Sequence, residues 1–205
     1  MIIKARHIPF FVRFFSWYSA NGLKRFFKKV DFECSAVTHG RPVLLIGNHF
    51  SWWDGFIAYR LNDLFLHKRF YIMMLEEQLA GRMFLNKAGA FSIKRGSRSV
   101  IESLSYASAL LHEKENMVVL YPQGTISSLH RRPVVFEKGT ERIIAGAPAD
   151  LMILFYVALP DWYSEKKPCL TIRVTEFVNA DRSSEELERA FNNFLNDSVS
   201  KQIPL

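Results

Sequence analysis

Pro42-Val43-Leu44-Leu45-Ile46-Gly47-Asn48-His49-Phe50-Ser51-Trp52-Trp53-Asp54-Gly55 decides the fold of this chain. The first five residues are a continuous apolar run and read as a buried strand. The run breaks at Gly47-Asn48. A histidine follows at once, and an aspartate comes five residues after it. On one continuous helix, five steps would leave these two side chains about 140° apart. If His49 lies on the turn after the strand and Asp54 on the first turn of the next helix, they can meet. A carboxylate that holds an imidazole fixes its tautomer and stabilises its cation, which makes a general base. With six His and seven Asp in 205 residues, chance supplies about 0.2 such spacings. The rest of the chain therefore has to carry the reading further.

Downstream, residues 52–66 are apolar enough for a helix buried over much of its surface. Residues 69–74 read as a second apolar strand and 75–88 as helix. Gly89-Ala90-Phe91-Ser92-Ile93-Lys94-Arg95-Gly96-Ser97 is a glycine, a short extended stretch and an arginine. It feeds a helix in which Ser99 and Glu102 have capping-box spacing. Val100, Leu104, Ala107 and Leu111 form its apolar stripe. A cation beside a helix N-terminus suits an anion, since free amides and the helix dipole point the same way. Arg95 is the first choice, with Lys94 and Arg98 beside it; the alternative is a surface arginine on a loop.

Residues 116–120 form a strand that runs into Tyr121-Pro122-Gln123-Gly124-Thr125. Proline fixes one backbone angle and glycine permits a positive one, so the chain can turn abruptly and present side chains at a cleft. A basic loop with His130, Arg131 and Arg132 leads to Phe136-Glu137-Lys138-Gly139. An apolar strand follows at 150–159, between Pro148 and Pro160, and a last strand at 167–178. Ser183 and Glu186 open a terminal helix with Leu187, Phe191, Phe194, Leu195 and Val199 on one face.

Upstream, residues 8–30 read as two helical pieces joined at Asn21-Gly22. In the second, Leu23, Phe26, Phe27 and Val30 share one face and Lys24, Arg25, Lys28 and Lys29 the other. The first carries Phe10, Phe11, Phe14, Phe15, Trp17 and Tyr18. Aromatics on one side and cations on the other describe a helix lying in a bilayer interface. The alternative is a helix packed on the protein's own core with a solvated basic face. Residues 31–37 read as a short strand. No apolar run reaches the roughly 20 residues of a spanning helix, and no signal peptide is visible. The net charge of +7 points to anionic partners: a membrane surface, a phosphorylated substrate or nucleic acid. No nucleic-acid-binding motif accompanies it, and anionic lipid accounts better for the cations at 24–29. Cys34 and Cys169 lack metal-type spacing and read as free thiols. No His/Cys/Glu cluster has metal-ligand spacing, and no glycine-rich phosphate loop is present.

Asn48-His49-x4-Asp54 after a strand, Gly89-x-Phe91-x-Ile93-Lys94-Arg95, and Tyr121-Pro122-Gln123-Gly124-Thr125 after a strand occur in the order found in the glycerolipid (lysophospholipid) acyltransferase family, which this chain resembles over about residues 42–160. The third block usually reads Phe-Pro-Glu-Gly-Thr, so Tyr121 is a mild departure and Gln123 removes a charge. The 136–139 stretch resembles the Phe-Lys-x-Gly that opens the next family helix. The resemblance implies an α/β fold: a mixed, mainly parallel sheet flanked by helices, with residues 1–30 as an interfacial segment and 31–205 as one acyltransferase domain. It implies an O-acyltransferase at the cytoplasmic face of a membrane, peripheral, that moves a fatty acyl group from acyl-CoA or acyl carrier protein to a lysophospholipid, lysophosphatidate first. His49 would be the base and Asp54 its orienter. Arg95, with Lys94, would take the acceptor's phosphate, and Gln123, Gly124, Thr125 and Ser51 would line the substrate site. Amides near Gly124-Thr125, or the Thr125 hydroxyl, are candidates to hold the oxyanion. No cofactor or metal is implied. Ser51 lacks the Gly-x-Ser-x-Gly elbow of a nucleophile. Gln123 keeps open a non-phosphate lipid alcohol as acceptor, and a non-catalytic lipid-binding relative is the reading from another class.

Overall fold

The computed structural model describes residues 2–36 and 38–202. Met1, Val37 at the end of the expected strand 31–37, and residues 203–205 at the end of the expected domain lie outside the described residues. The elements are α1 (Pro9–Phe26), β1 (Lys29–Glu33), β2 (Val43–Gly47), α2 (Asp54–Leu61) continued by a π-helical turn (Asn62–Leu66), β3 (Arg69–Leu75), α3 (Glu76–Ala80), α4 (Met83–Asn86), β4 (Ala90–Ile93), α5 (Ser99–Leu110), β5 (Asn116–Leu120), α6 (Thr140–Ala145), β6 (Met152–Asp161), β7 (Cys169–Glu176) and α7 (Ser184–Ser200).

The strands form one seven-stranded sheet in the order β1-β7-β6-β2-β5-β3-β4. β6, β2, β5, β3 and β4 run parallel. β7 is antiparallel to β6, and β1 is parallel to β7. This is the mixed, mainly parallel sheet flanked by helices that the resemblance implied. β2 accounts for the apolar run at residues 42–46. Val43 and Leu45 point into one core cluster, with Phe15, Phe56 and Ile57. Leu44 and Ile46 point into the other, with Leu104, Ile143 and Phe191. A strand covered on both faces loses the polar half of its alternation. Functional sites of such sheets form at the carboxyl ends of the strands, and His49 follows the end of β2.

The strand expected at 31–37 is β1 at Lys29–Glu33, and the helix expected at 75–88 is split into α3 and α4 at Gly81-Arg82. Two further expectations need correction. The N-terminal region is one helix through Asn21-Gly22, not two pieces. Gly22 is there for packing: a Cβ would stand 2.8 Å from the Trp53 ring. Phe15 and Leu23 on α1, and Phe27 after it, are buried in the sheet's core cluster. At about 1.5–3 kcal/mol for each buried large side chain, this holds α1 firmly to the domain. Its outer side exposes Phe10, Phe14 and Trp17. The second correction concerns α5. Ser99 is its first residue and does not cap it; the Ser97 hydroxyl accepts from the Ser99 N–H at 3.2 Å. At α7 the expected cap is present, with Ser183 Oγ accepting from the Glu186 N–H at 3.3 Å.

The residues before α1 are tied along the β4 edge. Ile3 and Ser92 exchange two hydrogen bonds, the Ile3 N–H to Ser92 Oγ and the Ser92 N–H to the Ile3 carbonyl. The Arg6 and Ile8 amides donate to the Asn86 and Lys87 carbonyls. α1 thus starts beside α4 and crosses to the far edge of the sheet, where the Lys28 N–H meets the Pro168 carbonyl at 2.9 Å. Cys34 and Cys169 are free and half-buried.

Candidate active site

The site is built where β2 stops. At Gly47 a Cβ would lie 2.1 Å from the Tyr156 ring, so glycine is required for Tyr156 to pack there. Asn48 then prolongs the pairing to β6 with its side chain. Its Oδ1 accepts from the Ala158 N–H at 2.9 Å and its Nδ2 donates to the Ala158 carbonyl at 3.0 Å. With Asn48 fixed, the chain turns and His49 faces α2. Asp54 is the first residue of α2, and its Oδ2 lies 2.7 Å from His49 Nδ1. The same Oδ2 accepts from the Phe50 N–H at 2.7 Å and the Ser51 N–H at 2.9 Å. Ser51 Oγ is engaged inside the turn, accepting from the Trp53 N–H at 3.1 Å.

Asp54 is 1% exposed, and no hydrogen-bond partner stands at its Oδ1 among the described residues. Burial pushes its carboxyl above the ordinary value, against the pull of His49 and the two amides. A desolvated carboxylate gains from an adjacent cation, so a proton arriving on the ring is stabilised. With Nδ1–H donated to Asp54, Nε2 is the nitrogen left to accept a proton.

Three further groups hold His49. Gln123 Oε1 accepts from the His49 backbone N–H at 2.6 Å, and its Nε2 donates to Ser127 Oγ. The Ser127 N–H closes the loop on the His49 carbonyl at 2.9 Å. Tyr121 stacks on the imidazole, with ring centroids 4.5 Å apart and planes 14° apart. Its hydroxyl meets that of Tyr156 at 2.7 Å. Burial pushes both phenols well above their ordinary range, so both stay neutral hydroxyls.

Arg95 lies on the opposite rim. A Cβ on Gly124, whose φ is +66°, would stand 1.9 Å from Arg95 Nη2, so the guanidinium rests on the bare glycine. Nη2 is also 3.4 Å from Glu137 Oε1. Lys94 leans away to Glu76 at 3.5 Å. The Gly124 N–H closes the turn onto the Tyr121 carbonyl at 2.9 Å, which removes it as an oxyanion donor. Thr125 lines the cavity. That cavity measures about 670 Å³ and joins the two rims. His49, Tyr121, Arg95 and Thr125 border one part of it, and Phe15, Tyr59, Phe70, Ile72, Leu85 and Ala88 border another. The size is that of a small-molecule site with few polar groups in an apolar wall.

The motifs thus bring His49, Asp54, Gln123, Gly124 and Arg95 to one end of the sheet. Sequence reasoning missed Tyr156, Ser127 and the pairing of Glu137 with Arg95. Glu137 lies in the 136–139 stretch, but only the fold brings it to Arg95, through the Glu137 N–H donated to the Pro122 carbonyl at 2.7 Å.

An acyltransferase family model matches residues 29–163, which hold all of these motifs. The chain belongs to that family. Acyl transfer is therefore this enzyme's chemistry. Among solved structures, this acyltransferase is similar to the 1-acyl-sn-glycerophosphate (LPA) acyltransferase PlsC from Thermotoga maritima. The TM-score is 0.66 over 93% of this chain and 79% of that one, at 14% identity. At that identity the likeness is one of fold. No curated protein sequence matches this acyltransferase.

Proposed function

We propose that this acyltransferase moves a fatty acyl group from acyl-CoA or acyl carrier protein to the free hydroxyl of a lysophospholipid, with His49 as general base. The observation that carries the proposal is the 2.7 Å His49–Asp54 contact at the border of an apolar cavity. In this reading Nε2 takes the acceptor hydroxyl's proton as its oxygen attacks the thioester carbon. The tetrahedral intermediate then collapses, the carbon–sulfur bond breaks, and the proton on His49 passes to the departing thiolate. Base catalysis of this kind contributes about 10²–10⁴ in rate. Asp54 balances the imidazolium without taking the proton. The Thr125 amide or hydroxyl is the candidate oxyanion donor. The apolar wall along β3 takes the acyl chain. Arg95 takes the acceptor's phosphate, which puts lysophosphatidate first.

The enzyme would act as a peripheral protein at the cytoplasmic face, with residues 8–30 against anionic lipid. Exposed Phe10, Phe14 and Trp17, with Arg13, Lys24 and Arg25 on the same helix, support that placement. No helix among the described residues is long and apolar enough to cross a membrane. One observation favours a second acceptor class. Arg95 is already partnered by Glu137, and Gln123 brings no charge, which suits a non-phosphate lipid alcohol.

The test is thiol release from palmitoyl-CoA in anionic vesicles, with lysophosphatidate as acceptor and His49→Ala beside wild type. Acceptor-dependent release lost in the variant is the expected result; equal release by both would overturn the role of His49. Release with a non-phosphate lipid alcohol in place of lysophosphatidate would select the second acceptor.

A further inference from the structure

The loop 162–168 joins β6 to β7 at the same end of the sheet as His49. β2 ends opposite Tyr156, but β6 continues to Asp161. Those five residues carry the hairpin about 17 Å past the end of β2, at the strand rise per residue. Its tip exposes Trp162 (56%) and Tyr163 (43%), followed by exposed Lys166 and Lys167. It is tied to the C-terminal end of α1. The Lys28 N–H donates to the Pro168 carbonyl, and the Lys28 ammonium pairs with Glu165. Lys24 and Arg25 stand in the last turn of α1, and Lys29 opens β1 beside Cys169. Six cations therefore gather here, around Asp31, Asp161 and Glu165. Two of those carboxylates pair with Lys28 and Lys29, and Asp161 accepts from Gln202.

We infer that the β6–β7 hairpin is a second membrane contact of this enzyme, seated at the headgroup level of an anionic bilayer. The inference rests on the proposed membrane role of α1 and extends it. The chemistry of the tip fits this occupant. Trp and Tyr have an apolar body and a polar edge and settle at the boundary between chains and water. Lysines beside them are drawn to anionic headgroups. One helix lying in an interface leaves the rest of the protein free to roll about the helix axis. A second contact, projecting beyond the strand end that carries His49, removes that freedom and turns the catalytic end of the sheet toward the lipid.

The first test is parallax quenching of single tryptophans. One variant keeps Trp162 and changes Trp17, Trp52 and Trp53 to Phe; a second keeps Trp17 alone. Each is bound to phosphatidylcholine–phosphatidylglycerol vesicles with and without brominated acyl chains. Shallow quenching of Trp162 is expected. Quenching of Trp17 without Trp162 would overturn the inference, leave the α1 reading standing, and assign the hairpin to a protein partner or a second copy. Quenching of neither would bring down both. The second test leaves the aromatic core untouched. Lys166→Gln with Lys167→Gln should weaken partition into the same vesicles about 30-fold, roughly fivefold per lysine, while thiol release from a short, water-soluble donor stays at the wild-type rate. Unchanged partition would overturn the inference.

Discussion

Replacing Asp54 by asparagine tests the centre of the proposed mechanism, because it removes a charge and almost nothing else. Oδ2 serves two backbone amides and His49 Nδ1. Two amide donors demand an acceptor there, so the asparagine oxygen takes the position and the ring keeps its tautomer. What is lost is the carboxylate opposite the imidazolium that forms as the acceptor's proton is taken. At 2.7 Å and an effective dielectric near 20, that attraction is worth about 6 kcal/mol. The ring is partly exposed and the asparagine dipole restores part of it, leaving about 4–5 kcal/mol. kcat should then fall about 10³–10⁴-fold. Stability should behave differently. Burial raises the Asp54 carboxyl above 3.8. An acid raised in the folded state costs stability as pH climbs from its unfolded value through the raised one, and the cost is constant above that. Asparagine carries no such cost, and either residue leaves one buried polar atom without a partner. Asp54→Asn should therefore melt no lower than wild type near neutral pH, and any advantage should shrink as pH falls toward 3.8. Thiol release under saturating substrates and melting curves across pH measure the two. A kcat within tenfold of wild type would refute the reasoning, as would a large fall in melting temperature at neutral pH.

Tyr121→Phe should keep the stack on His49 and hold turnover within about threefold, with roughly 1–2 kcal/mol of stability lost with the Tyr156 hydrogen bond; Tyr121→Leu should lower kcat about 3–30-fold, since the imidazolium loses its aromatic face. Gln123→Glu keeps an acceptor for the His49 N–H and should stay within about fivefold of wild type, whereas Gln123→Ala strands that amide and should cost about 5–100-fold in kcat; equal rates for the two would refute the assigned contact. Ala88→Phe should fill the part of the cavity beside Phe70 and lower preference for palmitoyl over shorter donors, about fourfold per methylene excluded, read as kcat/KM across a series of acyl-CoA lengths.

The sequence by itself determined the strands of the parallel core and the His49–Asp54 pair. Both are local: strand burial shows in five consecutive apolar residues, and the pair closes within one strand–turn–helix unit whose ends are five residues apart. The proline and glycine of the third motif announced a sharp turn for the same reason. Sequence misjudged α1, because Asn21-Gly22 has the composition of a break. Only the fold shows Gly22 lying against Trp53, where any larger residue would collide. Tertiary structure alone decided the rest of the site. Gln123 reaches His49 across 74 residues, Arg95 meets Glu137 across 42, and Tyr121 meets Tyr156 across 35. The first and third contacts follow from β2 lying between β5 and β6 in a particular register, and the second from β4 ending on the same side of the sheet as β5, with β3 between them. Hydrophobic period shows that a strand is buried but is silent on which strands are its neighbours, so the partners of a side chain at its end become visible only once the sheet is assembled.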